Sequence, residues 1–230
     1  MTFTEWLQGR LVAHGYRIRV DGQNGGETKA ALIAFQQTAG LRVTAVADEK
    51  TVAALRMNPR QGSAAPAPAP EQTMPPWMAE MHRRMGLHEV RDNAVLIAWL
   101  KIGKFLGNPA ELPWCGDGVE SAFVKGLPLE PLPANPFFAQ NWIKFGWGMA
   151  DAHVGAVGVI KWSPAAGHVG IVADSNRTDV CLLGANQSNA VTLAWFPRSN
   201  FIGFRWPKTF PLKAYPPLKG GKAGDMAGTR

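Results

Sequence analysis

The sequence predicts an α+β protein in which a small three-helix bundle precedes a larger domain built around an antiparallel sheet. An Ala- and Pro-rich segment separates two stretches of globular composition. The first stretch shows only helical periodicity, and the second shows helical patterns followed by short strand patterns. Helices followed by strands favour α+β over alternating βαβ units. The predicted segments are a helical domain at 1–57, a linker at 58–74, a second domain at 75–208 and a basic flexible tail at 209–230.

Apolar residues in the first domain recur at helical spacing in three runs. Asp48 stands where its carboxylate can cap the third helix, and Gly40 follows the second helix as a C-terminal cap. The segment that contains Asp21 and Gly22 is a strong turn signal between the first two helices. The apolar members of the runs are Phe3, Leu7 and Leu11, then Ala31, Leu32 and Phe35, and finally Val52 and Leu55.

Composition predicts the linker, and periodicity predicts the elements of the second domain. Alternating Ala and Pro cannot form a hydrogen-bonded ladder and favour an extended polyproline conformation, which predicts a semi-rigid spacer. The later strand patterns are short, β-branched or aromatic, and separated by turn-forming residues. In the second domain we expect helices at 77–85, 94–105, 115–124 and 137–145, then strands at 156–162, 168–173, 180–183, 190–196 and 201–205.

Charge narrows the class of partner. The chain has 230 residues, a formal net charge of +7 at pH 7 and a sequence pI of about 9.7. This charge favours an anionic partner: nucleic acid, an acidic membrane surface or a polymer such as a bacterial cell wall. No basic recognition helix or aromatic platform motif supports nucleic acid. No apolar stretch is long enough to cross a bilayer, and no signal-peptide pattern is evident, so we expect a chain made in a cytoplasm.

Cys115 is the candidate nucleophile. It stands in Pro113-Trp114-Cys115-Gly116-Asp117, where an amphipathic helix begins. The free N–H groups and the dipole at a helix N-terminus favour a thiolate, so we expect them to lower the pKa of this thiol and to hold an oxyanion. The alternative is a small buried core residue. Cys181 has apolar neighbours and is expected in the core, and both cysteines are expected to be free thiols.

A histidine and a carboxamide follow Cys115 in the order that a thiol hydrolase needs. Two histidines compete as the base, and we favour His168, at the start of a strand, over His153, which lies in a loop. Asn186 is the first choice for the residue that orients the imidazole, and Gln187 is the second. No zinc-ligand spacing, Asp-rich calcium loop or phosphate-binding motif is present, so we expect no metal and no cofactor.

The first domain resembles the peptidoglycan-binding-domain-1 family of three-helix wall-binding modules. The resemblance implies wall binding, with Asp21 and Gly22 among the binding residues. Two departures stand out: Asn24 replaces an aromatic residue usual in the Asp-Gly loop, and Thr44-Ala45 replaces the second Asp-Gly. The matching residues are Asp21-Gly22, Gly25, Thr28, Ala31, Phe35-Gln36, Gly40-Leu41 and the run from Thr51 to Leu55.

The second domain resembles the CHAP family of cysteine- and histidine-dependent amidohydrolases and peptidases. The matching motifs are Trp114-Cys115-Gly116-Asp117, Gly167-His168-Val169-Gly170-Ile171-Val172, Gly184-Ala185-Asn186-Gln187-Ser188-Asn189 and Gly203-Phe204-Arg205-Trp206-Pro207. The resemblance implies a papain-like fold with Cys115 as nucleophile, His168 as base and Asn186 as orienting residue. Ala185 departs from the Gly that is common in this subgroup.

Together the two resemblances lead us to expect a monomeric phage endolysin that cuts an amide bond of peptidoglycan. A peptide endopeptidase is the first expectation; an N-acetylmuramoyl-L-alanine amidase with the same triad and a non-catalytic wall-binding protein are the alternatives. We expect the enzyme to reach the wall from the host cytoplasm after release by a holin. The expected substrate-contacting residues are Trp114, Trp142, Trp147, Trp162 and Gln187, together with Asp21 and Gly22 of the first domain.

Overall fold

The computed structural model describes residues 1–57 and 73–224. The chain divides into two compact units, with the boundary between Gln72 and Thr73. Most of the predicted linker therefore lies outside the described residues. The mixed α and β character that the sequence predicts is confirmed, with helices alone in the first unit and an antiparallel sheet in the second.

The first unit consists of three helices, α1 (Phe3–Ala13), α2 (Gly26–Thr38) and α3 (Glu49–Arg56). The predicted cap of α3 is present, because the Asp48 carboxylate accepts the Thr51 N–H at 2.8 Å. α1 begins with a capping box, in which Thr2 and Glu5 satisfy each other's backbone N–H groups. The core between the helices consists of Leu7, Leu11, Ala31, Leu32, Phe35 and Leu55.

A buried glutamine holds the turn between α1 and α2. Gln8 is 1% exposed, and its Oε1 accepts the N–H groups of Asp21 at 3.1 Å and Gly22 at 2.9 Å. Its Nε2 donates to the Asp21 carboxylate and to the Thr28 hydroxyl. Gly22 has a φ of 74°, the left-handed region that glycine adopts at low cost.

Gln36 repeats this arrangement at the turn between α2 and α3. Its Oε1 accepts the N–H groups of Thr44 and Ala45, and its Nε2 donates to the hydroxyls of Thr44 and Thr51. Ala45 stands at the position in this turn that corresponds to Gly22 in the first turn, and its φ is 55°. Thr44-Ala45, which replaces the second Asp-Gly of the family, therefore keeps the turn. It leaves a residue with a Cβ in the left-handed backbone conformation, however.

We expect Ala45→Gly to stabilise the first unit by about 1 kcal/mol, because glycine removes the left-handed strain at that position. Ala39→Gly is the matched control: Ala39 is exposed with a φ of −82°, so added backbone freedom should destabilise. Native-state hydrogen exchange of the slowest α1 and α2 amides in the full chain measures both changes. Equal losses of stability in the two variants would contradict this view of the turn.

The second unit begins with its helices. These are α4 (Pro76–His82), α5 (Asn93–Leu100) and α6 (Cys115–Gly126), followed by a 3₁₀ helix at Ala139–Lys144. α5 stops short of the predicted end at residue 105. Two buried carboxylates of α6 bind the backbone there: Glu120 accepts the Lys104 N–H at 2.9 Å and Asp117 accepts the Leu106 N–H at 3.0 Å.

The strands form one sheet in the order β1-β6-β2-β3-β4-β5-β7. All neighbours are antiparallel except β5 and β7, which are parallel. Five of the strands match the five predicted ones; β1 and β7 are short edge strands that no sequence pattern marked. The strands are β1 (Trp147–Met149), β2 (Val157–Lys161), β3 (Gly167–Ser175), β4 (Asp179–Gln187), β5 (Ala190–Pro197), β6 (Phe201–Trp206) and β7 (Lys222–Ala223).

Helix α6 packs closely on the sheet because a glycine lies at the point of contact. Val119, Ala122 and Phe123 are fully buried in the core of the second unit. A Cβ placed on Gly118 would lie 2.4 Å from the Cβ of Ala185 on β4, so this contact requires glycine. The start of α6 is thereby held directly against β3 and β4, the strands that carry the other candidate catalytic residues.

Residues 209–224, for which the sequence predicts a flexible tail, contact the second unit at several points. The Phe210 ring packs edge-on against Trp77 at 4.9 Å, and the Trp206 indole N–H donates to the Phe210 carbonyl. Farther along, the Leu218 N–H donates to the Ala173 carbonyl, and β7 joins the sheet edge. A Pro-, Gly- and Lys-rich composition hid the apolar anchors that fasten this segment. Residues 225–230 lie outside the described part.

Within the described residues, no helix combines the length and the apolar character needed to cross a membrane.

Candidate functional site

A one-residue bulge in β4 determines which side chain meets His168. β4 pairs with β5 so that Gly184 lies opposite Thr192, but Gln187 lies opposite Ala190. Three steps along β4 therefore match two along β5, and Asn186 inside the bulge has a φ of 57°. Because side chains alternate along a strand, one extra residue exchanges the positions that face a given side.

The bulge places Gln187 against the imidazole of His168. The His168 Nε2 lies 3.0 Å from the Gln187 Oε1, and both side chains are buried. The register of β3 with β4 sets Ile171 opposite Leu183, and its simple continuation would set Asn186 opposite His168. The contact expected of Asn186 is thus made by Gln187, the second choice, because the bulge interrupts that register.

The hydrogen bonds of Gln187 fix the tautomer of His168. The Gln187 amide nitrogen donates to the carbonyl of Thr192 at 2.7 Å and to that of Leu182 at 3.3 Å, so its oxygen faces the imidazole. A carboxamide oxygen only accepts, and therefore the imidazole Nε2 carries the proton. Among the described residues nothing hydrogen-bonds the His168 Nδ1, which is left with its lone pair.

The Cys115 thiol lies against the same strand. The backbone N–H groups of Val169, the residue after His168, and of Gly116 lie close enough to the thiol to lower its pKa. Cys115 is 4% exposed, and Trp114, just before it, ends the loop that leads into α6. The structure therefore places the Cys115 thiol beside β3, the strand that carries His168, and the His168 ring in turn contacts Gln187 at the bulged end of β4.

Burial keeps the Cys115 thiol and the His168 imidazole neutral. It raises the pKa of the Cys115 thiol to about 11, outweighing the backbone N–H groups that lower it. It also lowers the pKa of His168 to about 4, against the opposing hydrogen bond to Gln187. The expectation that the helix N-terminus lowers the thiol pKa is therefore wrong in this resting structure, because desolvation exceeds the effect of the helix end.

Aromatic rings complete the surroundings of the imidazole. Trp162 lies nearly parallel to the His168 ring with centroids 6.1 Å apart, and Phe196 lies at 5.5 Å. These apolar neighbours are part of the desolvation that disfavours an imidazolium ion. Trp162 is only partly buried, so it is the expected cleft tryptophan that the structure does bring to the site.

Of the other expected cleft tryptophans, two are buried and one lies at the edge of the sheet. Trp114 is 1% exposed and donates to the Glu89 carboxylate at 3.0 Å; Trp142 is fully buried and donates to the Pro136 carbonyl. Both are core residues whose polar edge is satisfied internally. Trp147 is 60% exposed on the edge strand β1, opposite Trp206. That position is at the far end of β6 from Phe201, and Phe201 pairs with Ile160 of β2, which has His168 of β3 on its other side.

A buried carboxylate, Asp117, lies two residues beyond the candidate nucleophile. Asp117 is 1% exposed, and burial raises the pKa of its carboxyl to about 6. The ionised carboxylate raises the pKa of Cys115 further. Sequence patterns gave this residue no role, and its contact with Leu106 shows that it fastens the loop before α6.

The remaining candidates have structural partners. His153 bonds to the Lys213 carbonyl at 2.9 Å and packs on Trp206, so it fastens the chain after β6. The Asp21 carboxylate is turned towards Gln8 and the Gln23 N–H, and these hydrogen bonds lower its pKa. Asp21 and Gly22 therefore shape the first turn from within. No group of three or more His, Cys, Asp or Glu side chains suited to a metal occurs in residues 1–57 and 73–224.

Comparison with known proteins supports the assignment of the first unit. The family model PG_binding_1, which describes a peptidoglycan binding domain, matches residues 2–55. The match supports a peptidoglycan-binding module at this end of the chain, with peptidoglycan as its partner. No curated protein and no solved structure matches the chain.

The high thiol pKa predicts how Cys115 responds to iodoacetamide. The rate of Cys115 alkylation should rise about tenfold per pH unit between pH 7 and 10, because only the thiolate reacts. Mass spectrometry of the Cys115 peptide measures it, and Cys181 is the internal control. Cys181 is fully buried with a pKa raised to about 12, so it should react more slowly. A Cys115 rate that is already at its plateau from pH 5 to 8 would instead indicate a thiolate–imidazolium pair.

Proposed function

We propose that the chain is a peptidoglycan hydrolase that cleaves an amide bond of the bacterial cell wall with a cysteine nucleophile. The contact between His168 and Gln187, beside the Cys115 thiol, carries this proposal. A thiol, a base with a free lone pair and a group that orients the base are the parts of a thiol hydrolase. The match of residues 2–55 to a peptidoglycan binding domain supports the wall as substrate.

The neutral resting pair favours general-base attack over a preformed ion pair. As the Cys115 sulfur bonds to the amide carbonyl carbon, the thiol proton passes to the His168 Nδ1. The Gln187 oxygen holds the Nε2–H and stabilises the imidazolium that forms. His168 then gives that proton to the leaving nitrogen, the C–N bond breaks, and a thioester remains on Cys115.

Hydrolysis of the thioester returns the enzyme to its starting state. Water attacks the thioester carbonyl while His168 accepts one of its protons, and the proton returns to sulfur as the C–S bond breaks. In this mechanism the backbone N–H groups of Cys115 and Gly116, at the start of α6, receive the developing oxyanion. A glycine at 116 packs against the Pro136 carbonyl, which holds this turn in place.

The proposal also concerns which amide bond of the wall is cleaved. A peptide endopeptidase is the first candidate and an N-acetylmuramoyl-L-alanine amidase the second, since both require the same three groups. The resemblance of the second unit to CHAP enzymes supports a phage endolysin, made in the host cytoplasm and released to the wall by a holin.

A non-catalytic wall-binding protein is the competing function. The observation that favours it is the burial of the site, since Cys115 is 4% exposed and His168 is fully buried. A dead hydrolase domain, however, has no need for the buried amide that fixes one tautomer of His168.

Cys115→Ala should abolish the hydrolysis of purified sacculi and leave their binding intact, because the nucleophile is lost but the first unit is unchanged. Dye release from labelled sacculi measures hydrolysis, and co-sedimentation measures binding. Cys181→Ala is the matched control, since Cys181 is the other buried cysteine and belongs to the core on β4. Undiminished hydrolysis by Cys115→Ala would rule out the mechanism.

Mass spectrometry of the fragments from the same digests identifies the bond. New amino termini on stem peptides that remain attached to muramic acid indicate an endopeptidase. Free lactyl carboxylates on muramic acid indicate an amidase.

The roles of Gln187 and Asn186 separate in a second pair of variants. Gln187→Ala should lower kcat by about 10- to 100-fold, because the imidazole loses the acceptor that orients it. Asn186→Gly keeps the left-handed backbone of the bulge and should stay within a few-fold of the wild type. Steady-state hydrolysis of labelled sacculi measures both. A larger loss of kcat in Asn186→Gly than in Gln187→Ala would instead identify Asn186 as the residue that orients the imidazole.

A further inference from the structure

Two aromatic side chains and a cation lie together on the outside of the first unit. The rings of Phe3 and Trp6 on α1 stack with centroids 5.7 Å apart and planes at 25°. The Arg56 guanidinium, at the end of α3, lies 6.0 Å from the Trp6 ring centroid. With Met1 and Thr2 these side chains line an open cleft of about 290 Å³. We call Phe3, Trp6 and Arg56 the aromatic face.

The side chains of the aromatic face contribute little to the hydrophobic core of the first unit. The α1 contribution to the helical core comes from Leu7 and Leu11, and Trp6 packs against that core only in part. Phe3 is 58% exposed and does not belong to the core cluster. Exposed apolar surface beside a polar rim is typical of a binding site.

The cation of this face is available to a ligand. In the part of the chain that the structure describes, none of the ion pairs involves Arg56, and its side chain is exposed. The Asp21 carboxylate, in contrast, is occupied by Gln8 and Gln23 within the first turn. Phe3, Trp6 and Arg56 on α1 and α3 therefore combine exposed or partly exposed aromatic rings with a cation that has no ion pair among the described residues.

We propose that the aromatic face binds one saccharide ring of the peptidoglycan glycan strand together with a carboxylate of the stem peptide attached to it. A pyranose ring presents a face of C–H groups, which suits the electron-rich faces of Phe3 and Trp6. A guanidinium binds a carboxylate through paired N–H donors. This inference rests on peptidoglycan as the ligand of the first unit, and the matched residues 2–55 include both aromatic residues.

Co-sedimentation with purified sacculi tests the face in the full chain. Cys115→Ala serves as the background, so that the polymer stays intact if the second unit is an active hydrolase. Phe3→Ala and Arg56→Gln should each weaken binding by about three- to tenfold, as loss of one stacking or ionic contact predicts. Val20→Ala, which is 52% exposed, and Arg42→Gln, also exposed, are the matched apolar and charge controls and should bind normally.

A thermal melt of each variant separates binding from folding, and Arg56→Gln decides the matter if Phe3→Ala is unstable. Normal binding by a folded Arg56→Gln together with a folded Phe3→Ala would overturn the inference. Competition with soluble fragments tests the ligand: a disaccharide–tetrapeptide should displace the protein at a lower concentration than the free tetrapeptide. Equal displacement by the two fragments would overturn the saccharide contact.

The same assays keep this inference distinct from the proposed catalysis. If the wild-type chain fails to hydrolyse sacculi but the aromatic-face variants lose binding, the hydrolase proposal fails and the binding face stands. If hydrolysis depends on Cys115 while the face variants bind normally, the face fails and the hydrolase stands.

Discussion

The hydrogen bond between the Gln187 carboxamide and the His168 imidazole is the interaction on which the candidate site depends. The carboxamide nitrogen donates to the carbonyls of Thr192 and Leu182, and the carboxamide oxygen is therefore left for the His168 Nε2–H. This arrangement selects one tautomer of a buried imidazole and leaves the Nδ1 lone pair for a proton. The bulge of β4 is what makes it possible, because only the extra residue turns Gln187 towards β3. A local irregularity of the sheet thus determines the chemistry of the site.

Burial is the second constraint, and it determines how the site can react. Close packing of α6 on β4, through Gly118 and Ala185, places the thiol against the backbone of β3. The same packing excludes water, so both the thiol and the imidazole are neutral at rest. In the mechanism that we propose, charge develops only during attack, when the proton moves from sulfur to nitrogen and the helix N-terminus stabilises an oxyanion. Trp162, which stacks on the imidazole, is partly exposed, so the proposed substrate would approach from its side.

The sequence predicted most of the architecture and the first choices for two of the three candidate site residues. Periodicity and caps predicted all three helices of the first unit, and Cys115 and His168 were singled out by their positions at the start of a helix and of a strand. Gln187 came second to Asn186 because strand alternation cannot reveal a bulge. Trp114 and Trp142 were expected in a cleft because composition does not distinguish a core tryptophan from a binding one. The segment after Lys208 was expected to be flexible because its few anchors, such as Phe210, are widely spaced among turn-forming residues.

The protonation state of His168 is the most direct test of this account. Long-range ¹H–¹⁵N correlation spectra of the full chain report which ring nitrogen carries the proton, and the spectrum of His168→Asn assigns the signal among the five histidines. We predict a neutral ring with the proton on Nε2 at pH 6 to 8, becoming charged only near the lowered pKa of about 4. A ring that is charged at pH 6.5, or one that carries its proton on Nδ1, would contradict the assignment of Gln187 and of a neutral resting pair.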